Sequence, residues 1–247
     1  MKIAVIGRGE VLYDTAIMLD KAGHKISCIL TAQEAPEYTR KADDFESLAE
    51  NFNVPYAHGA NISNYNDFLA NTKSEIAVSV NFPGIIPQSV IDIFPLGILN
   101  AHGGDLPKYR GNACQAWAIL NGESKIGLCV HKMIGDQLDS GDIIARNYME
   151  IDRNTKITSV YEWMRSEAPL LFIQAIDKLN VDKSFILEKQ STQASDILRT
   201  YPREPDDAKI SWNMPAAYIL RLINASNKPY SGAFFFFNNK KINVWEA

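Results

Sequence analysis

At 247 residues, with 46% hydrophobic and 22% charged side chains, the chain is long enough to bury a full core and too apolar to hold a long disordered tract. A net charge of -4 from mixed signs leaves no basic surface that would draw in nucleic acid by neutralising phosphates, which argues against a tRNA substrate. Cys28, Cys114 and Cys129 are widely spaced with no CxxC, so neither a disulfide framework nor a zinc site is indicated; small buried thiols in a reducing cytoplasm fit best.

The opening run to Gly7 is apolar but too short for a signal or membrane segment. It predicts a strand over 2–6, a turn over 7–9, a helix over 13–22 ending at Gly23, and a second strand over 25–30: a βαβ unit. Helical patterns follow over 43–52 and 65–71, then a buried strand over 76–80 and a short strand over 97–100 that runs into the polar, Gly-rich segment 102–112. This alternation predicts an α/β fold with a doubly wound, mostly parallel sheet. Further on, a helix starts over 115–120, strands span 126–133 and 142–151 around a loop over 135–141, and apolar residues at helical spacing over 158–179 predict one long amphipathic helix. From about Lys189 the character changes. A helix over 215–224 and a strand over 232–237 that faces 242–245 across Asn238-Asn239-Lys240-Lys241 predict a small helix-plus-hairpin unit. We therefore divide the chain into a main domain over 1–188 and a small C-terminal unit over 189–247, expected below to be catalytic and to serve substrate binding and dimerisation respectively.

Gly7-x-Gly9 after a strand invites a dinucleotide-binding reading, which would make the chain a nicotinamide oxidoreductase. Leu12 stands where a third Gly or Ala is needed for close helix–strand packing, which argues against it. Asn100-Ala101-His102 is the stronger signal, because in an open α/β sheet ligands lie beyond the carboxyl ends of the strands. Asn100 and His102 alternate across one residue, so on extended chain both project to one side. The cluster Leu138-Asp139-Ser140-Gly141-Asp142 ends a later loop and can close over the same place. Histidine suits proton transfer near neutral pH, a carboxylate orients it, and an amide donor stabilises an oxyanion. His24, His58 and His131 lack such company and are expected to be structural.

The stretches Leu99-Asn100-Ala101-His102-Gly103-Gly104-Asp105-Leu106-Pro107-Lys108-Tyr109-Arg110-Gly111, then 117–123, then Leu138-Asp139-Ser140-Gly141-Asp142-Ile143-Ile144 resemble the signature of the folate-dependent formyltransferases over the first three quarters of the chain. The resemblance implies a Rossmann-like formyltransferase fold and a catalytic set of Asn100, His102 and Asp139. Asp136 and Asp142 are rival carboxylates, because the loop before Leu138 is one residue longer than in the tRNA enzyme. Residues 203–207, 210–212 and 227–234 resemble the members that act on nucleotide-linked amino sugars, and too few residues follow for an RNA-binding barrel.

The resemblance further implies 10-formyltetrahydrofolate as donor, in a slot at Phe82, Gly84, Ile85 and Ile86 with Asp136 and Asp139. A nucleotide-linked 4-amino-4,6-dideoxy sugar, dTDP-linked, is the implied acceptor, met by Gly9, Lys108, Tyr109, Arg110, Asn112, Gln115, Arg203, Trp212 and Tyr230. Arginines are favoured for the diphosphate and an aromatic for the base. The expected setting is O-antigen or related polysaccharide synthesis in the cytoplasm, by a homodimer that needs no metal, membrane or nucleic acid. Methionyl-tRNA formylation is the rival within the family.

Overall fold

The computed structural model describes residues 1–247. In chain order the elements are β1 (Lys2–Gly7), α1 (Glu10–Lys21), β2 (Lys25–Thr31), α2 (Ala42–Phe52), β3 (Tyr56–His58), α3 (Asn66–Asn71), β4 (Ile76–Val80), α4 (Gln88–Ile91) and β5 (Ile98–His102). There follow β6 (Arg110–Gly111), α5 (Cys114–Asn121), β7 (Lys125–Lys132), β8 (Ile143–Glu150) and α6 (Ile157–Val181). The chain closes with β9 (Arg199–Thr200), α7 (Ala216–Ala225), β10 (Ala233–Phe237) and β11 (Lys240–Val244). Two compact units form: Met1–His102, Leu128–Asn147 and Arg165–Gln190 make the first; Gly103–Gly127, Tyr148–Met164 and Ser191–Ala247 make the second. No helix is long and apolar enough to cross a membrane.

The seven-stranded sheet runs β3-β2-β1-β4-β5-β7-β8. β1 pairs in parallel with β2 and β4, β2 with β3, and β4 with β5, as the continuous apolar runs predict for strands buried on both faces. The direction reverses where β7 lies antiparallel to β5, and again at β8, since Lys132 N donates to the Asp142 carbonyl and Ile151 N to the Ser124 carbonyl. On one face Ala4, Ile6, Cys28, Leu30, Ala77 and Ile98 form a buried cluster with Leu69, Val90 and Phe94. Leu12, Ala16 and Leu19 recur at helical spacing on α1 and are fully buried. At the end of β1, Gly7 has φ 133°, and a Cβ there would sit 2.0 Å from the Val80 carbonyl oxygen. Only glycine allows the β1 and β4 backbones that approach. The long helix expected over 158–179 runs from Ile157 to Val181 and passes through Pro169, which gives up one backbone hydrogen bond. All three cysteines are free and buried, and burial pushes the Cys28 thiol up to about 12.

In the second unit α5 packs on α7, and Asn224 donates to the Arg153 carbonyl at 2.8 Å. Gly111 has φ 117°, and a Cβ would lie 2.2 Å from the Thr200 oxygen that β9 presents. The β10–β11 hairpin is tighter than the four-residue connection expected. Phe237 pairs with Lys240, leaving only Asn238 and Asn239 in the turn, both at positive φ (47° and 59°). Two left-handed residues make the primed turn whose twist matches the strands, and asparagine tolerates that backbone, so pairing extends to Lys240.

Candidate active site

Asn100 and His102 both lie on β5; the strand runs two residues beyond the 97–100 span read from the sequence. The antiparallel register sets Asn100 opposite His131 and His102 opposite Cys129. Directly opposed residues share a face of the sheet, so Asn100, His102 and His131 point to one side. The Asn100 amide nitrogen lies 3.2 Å from His131 Nε2, and the two imidazoles meet edge to face, with centroids 6.3 Å apart. His131 Nδ1 faces the Lys132 carbonyl at 2.9 Å. A carbonyl only accepts, so Nδ1 carries a hydrogen there, and Nε2 is the ring nitrogen that faces the Asn100 amide. His131, expected to be structural and without such company, is buried and lies against both Asn100 and Asp139.

Asp139 completes the cluster. Its Oδ2 is 3.4 Å from His102 Nδ1 and its Oδ1 is 3.5 Å from His131 Nε2. His102 and His131 are 6% and 1% exposed, and the Asp139 side chain 12%. In such surroundings a carboxylate and an imidazole interact far more strongly than in water. The Asp139 contact assigns the His102 hydrogen to Nδ1 and the basic lone pair to Nε2.

The loop that carries Asp139 is fastened at several points. Gly135 N donates to Gln88 Oε1 at 2.8 Å, and Lys132 N to the Asp142 carbonyl at 2.9 Å. Gln190 Nε2 donates to the carbonyls of both Asp139 (2.9 Å) and Gly141 (2.6 Å). Asp136 and Asp139 adopt the left-handed backbone (φ 59° and 48°), where Asx residues are several-fold enriched. Asp136 is exposed and Asp142 half-buried, and of the three carboxylates Asp139 is the one against the histidines. Asn81, Gly84 and Ile85 are exposed, Phe82 is half-buried against the core, and Ile86 is itself core at 1% exposure. The amides of Phe82, Gly84, Ile85 and Ile86 donate to no backbone carbonyl. Together with the apolar Phe82 and Ile85 side chains they fit a flat heterocycle that has polar edges.

Residues 1–176 match the family model "Formyl transferase", and residues 203–247 match "Formyl transferase, C-terminal domain". The chain belongs to the formyl transferase family. The chain is 27% identical over 252 residues to the bifunctional polymyxin resistance protein ArnA of Wigglesworthia glossinidia brevipalpis, covering 100% of this chain and 38% of that protein. Its fold matches an N-formyltransferase from Helicobacter canadensis in complex with folinic acid and dTDP-3-aminofucose: TM-score 0.75, 18% identity, 98% of this chain and 86% of that one. It also matches HypX from Aquifex aeolicus in complex with tetrahydrofolic acid: TM-score 0.69, 18% identity, 98% of this chain and 36% of that one. The chain thus spans well under half the length of ArnA and of HypX.

The other residues singled out in the formyl transferase sequence are more scattered. In the first unit Gly9 is buried at the start of α1 (φ 85°), with the Tyr38 ring 3.5 Å from where a Cβ would lie. In the second, Lys108 and Tyr109 line a cavity of about 160 Å³ with Gly103, Asp105, Glu123 and Lys125. Tyr109 donates to Glu123 Oε1 at 2.5 Å, and burial together with that carboxylate raises its pKa. Arg110 Nη2 donates to the Ser191 carbonyl, Asn112 is exposed, and Gln115 is buried, its Nε2 3.2 Å from Met164 Sδ. Arg203 donates to the carbonyls of Ala225 and Asp207 and to Ser226 Oγ, and burial lowers its pKa. Its guanidinium is engaged within the chain. Trp212 is 64% exposed, edge-on to Phe235, while the Tyr230 and Tyr161 hydroxyls lie 2.6 Å apart. Gln190 and Gln88 went unread in the sequence, and the company His131 keeps was missed, because each acts through a partner more than 30 residues away.

Proposed function

We propose that this formyl transferase moves the formyl group of 10-formyltetrahydrofolate to the amine of a nucleotide-linked 4-amino-4,6-dideoxy sugar, with dTDP as the nucleotide. We assign it to the synthesis of O-antigen or a related surface polysaccharide, in the cytoplasm and as a homodimer whose C-terminal unit contributes to both substrate binding and assembly. The observation that carries the reading is the Asn100–His131–Asp139–His102 cluster at the carboxyl end of β5, its two histidines buried. The folinic acid and dTDP-3-aminofucose of the Helicobacter canadensis protein support the choice of a folate donor and a dTDP-linked amino sugar; the 4-amino position rests on the sequence resemblance alone.

When bound, the donor supplies an activated formyl carbon and a nitrogen leaving group. The acceptor nitrogen bonds to that carbon and must then lose a proton. His102 Nε2 takes it, since Nδ1 is committed to Asp139, and the carboxylate stabilises the imidazolium that results. The proton passes from His102 to the departing folate nitrogen as its bond to the formyl carbon breaks, so charge and protons balance. Asn100 donates to the formyl oxygen while that oxygen gains negative charge, a contact worth on the order of 3 kcal/mol where it has been removed elsewhere. Asn100 reaches this role oriented by His131.

The test is mass spectrometry of products after incubation with 10-formyltetrahydrofolate and a panel of UDP-, dTDP- and GDP-linked amino sugars, with initiator Met-tRNA alongside. A gain of one formyl group on a sugar, largest for dTDP-linked 4-amino sugars, is expected. Formylation of the tRNA with every sugar untouched would overturn the proposal.

A further inference from the structure

The sheet changes winding direction at β1: the chain steps from β1 to β2 and β3 on one side, then returns to β4 on the other. In open α/β sheets the crevice at such a switch point, beyond the carboxyl ends of the strands, is where ligands bind. Arg8 stands there. Gly7 pairs with Val80 and Ser79 with Asn100, so continuing the rows beyond the strands brings Arg8, Asn81 and His102 level across three neighbours. Two strand spacings separate Arg8 from His102, about 10 Å.

The guanidinium is held without being neutralised. Nε donates to the Asn81 carbonyl at 2.8 Å and Nη1 to the Gln33 carbonyl at 2.5 Å, and the Tyr38 ring lies beneath at 5.6 Å. Nη2 has no partner in the chain. The first unit has four arginines, Arg8, Arg40, Arg146 and Arg165. Arg40 pairs with Asp44, Arg146 with Glu188 and Arg165 with Asp14, whereas Arg8 meets no carboxylate. The nearest acid in sequence, Glu10, accepts from the Thr39 amide and hydroxyl and from the Arg40 amide instead. Two carbonyls and a ring therefore fix the direction of a full positive charge whose outer edge is left open. That is a preorganised cation, suited to an oxyanion that takes charge-assisted hydrogen bonds from the outer edge.

We infer that Arg8 holds the acceptor by the phosphate attached to its sugar, with Tyr38 as the wall of that subsite. The inference rests on the nucleotide-sugar reading and deepens it, assigning a diphosphate cation from the first unit in place of the engaged Arg203.

Arg8→Gln keeps an N–H for Asn81 and deletes the charge. In the folded variant the acceptor KM is expected to rise about 30-fold or more, with kcat and donor KM within about threefold of wild type, because the phosphate is held equally in ground and transition states. Inorganic pyrophosphate, as an inhibitor competing with the acceptor, should weaken in parallel. An acceptor KM within threefold of wild type would overturn the assignment while leaving the function intact. Should Arg8→Gln fail to fold, Arg8→Lys decides: a several-fold rise in acceptor KM supports Arg8, and no rise removes it. If wild type formylates no amino sugar, the functional reading falls. Calorimetry with pyrophosphate then judges Arg8 alone: binding to wild type that Arg8→Gln loses sustains an anion site, and equal or absent binding overturns it.

Discussion

Asn100 donates to a histidine 31 residues further on, and that contact changes what substitution should do. His102→Asn is expected to cut kcat by roughly a hundredfold or more with little change in acceptor KM, since a lost base acts on the transition state. Asp139→Asn should behave alike, whereas Asp142→Asn should stay near wild type; steady-state kinetics on all three decides, and a His102→Asn enzyme with a third of wild-type turnover would remove the histidine from the mechanism. His24 offers a test of stability. It is buried, with Nδ1 3.4 Å from the amino terminus and Nε2 3.7 Å from Asp177, and desolvation and then the terminal ammonium lower its pKa against the opposing carboxylate. The unfolded chain therefore binds this proton more readily, so the stability His24 contributes is complete above about pH 6.5, its unfolded value, and is lost as pH falls through the lower folded one. Urea midpoints measured from pH 7.5 to 5 should drop less for His24→Gln than for wild type; parallel curves would exclude this histidine from the acid response. Asn100, His102 and Asp139 were legible because the motif names them, while His131 was not, because nothing in a linear sequence reveals which strand lies antiparallel to β5.

At the scale of elements, the loop from Met133 to Asp142 depends on a side chain outside it. Gln190 satisfies the carbonyls of Asp139 and Gly141 together, and each left unpaired in a buried setting costs on the order of 1–3 kcal/mol. Gln190→Leu is expected to lower kcat about tenfold or more by letting Asp139 drift, with amide exchange in residues 133–142 accelerated and the β1–β5 strands unchanged. Uniform acceleration across the sheet would instead mark a global loss of stability. Burial along β10 follows position rather than face: Ala233 and Phe234 are 0% and 4% exposed, Phe236 and Phe237 56% and 64%. The long runs behind β1, β2, β4 and α6 were readable from periodicity. β3, β6 and β9 were not, since strands of two or three residues are created by a neighbour's edge and leave little pattern of their own.

For the whole molecule, the exposed group of Trp212, Met214, Phe236, Phe237 and Ile242 is more apolar surface than a lone hairpin usually leaves in water. A homodimer is expected at micromolar concentration by light scattering with substrate present, and Phe237→Lys, which adds charge at the most exposed aromatic of β10, should shift it towards monomer. A wild-type monomer under those conditions would rule the dimer out. The three buried cysteines carry a practical corollary. Cys28 and Cys129 belong to the first unit and Cys114 to the second, and with none at the surface the native chain is nearly silent to thiol reagents. It is a clean background into which one cysteine can be introduced for a dye or spin label, and its own thiols, kept one at a time, become timers that report separately how often each unit opens.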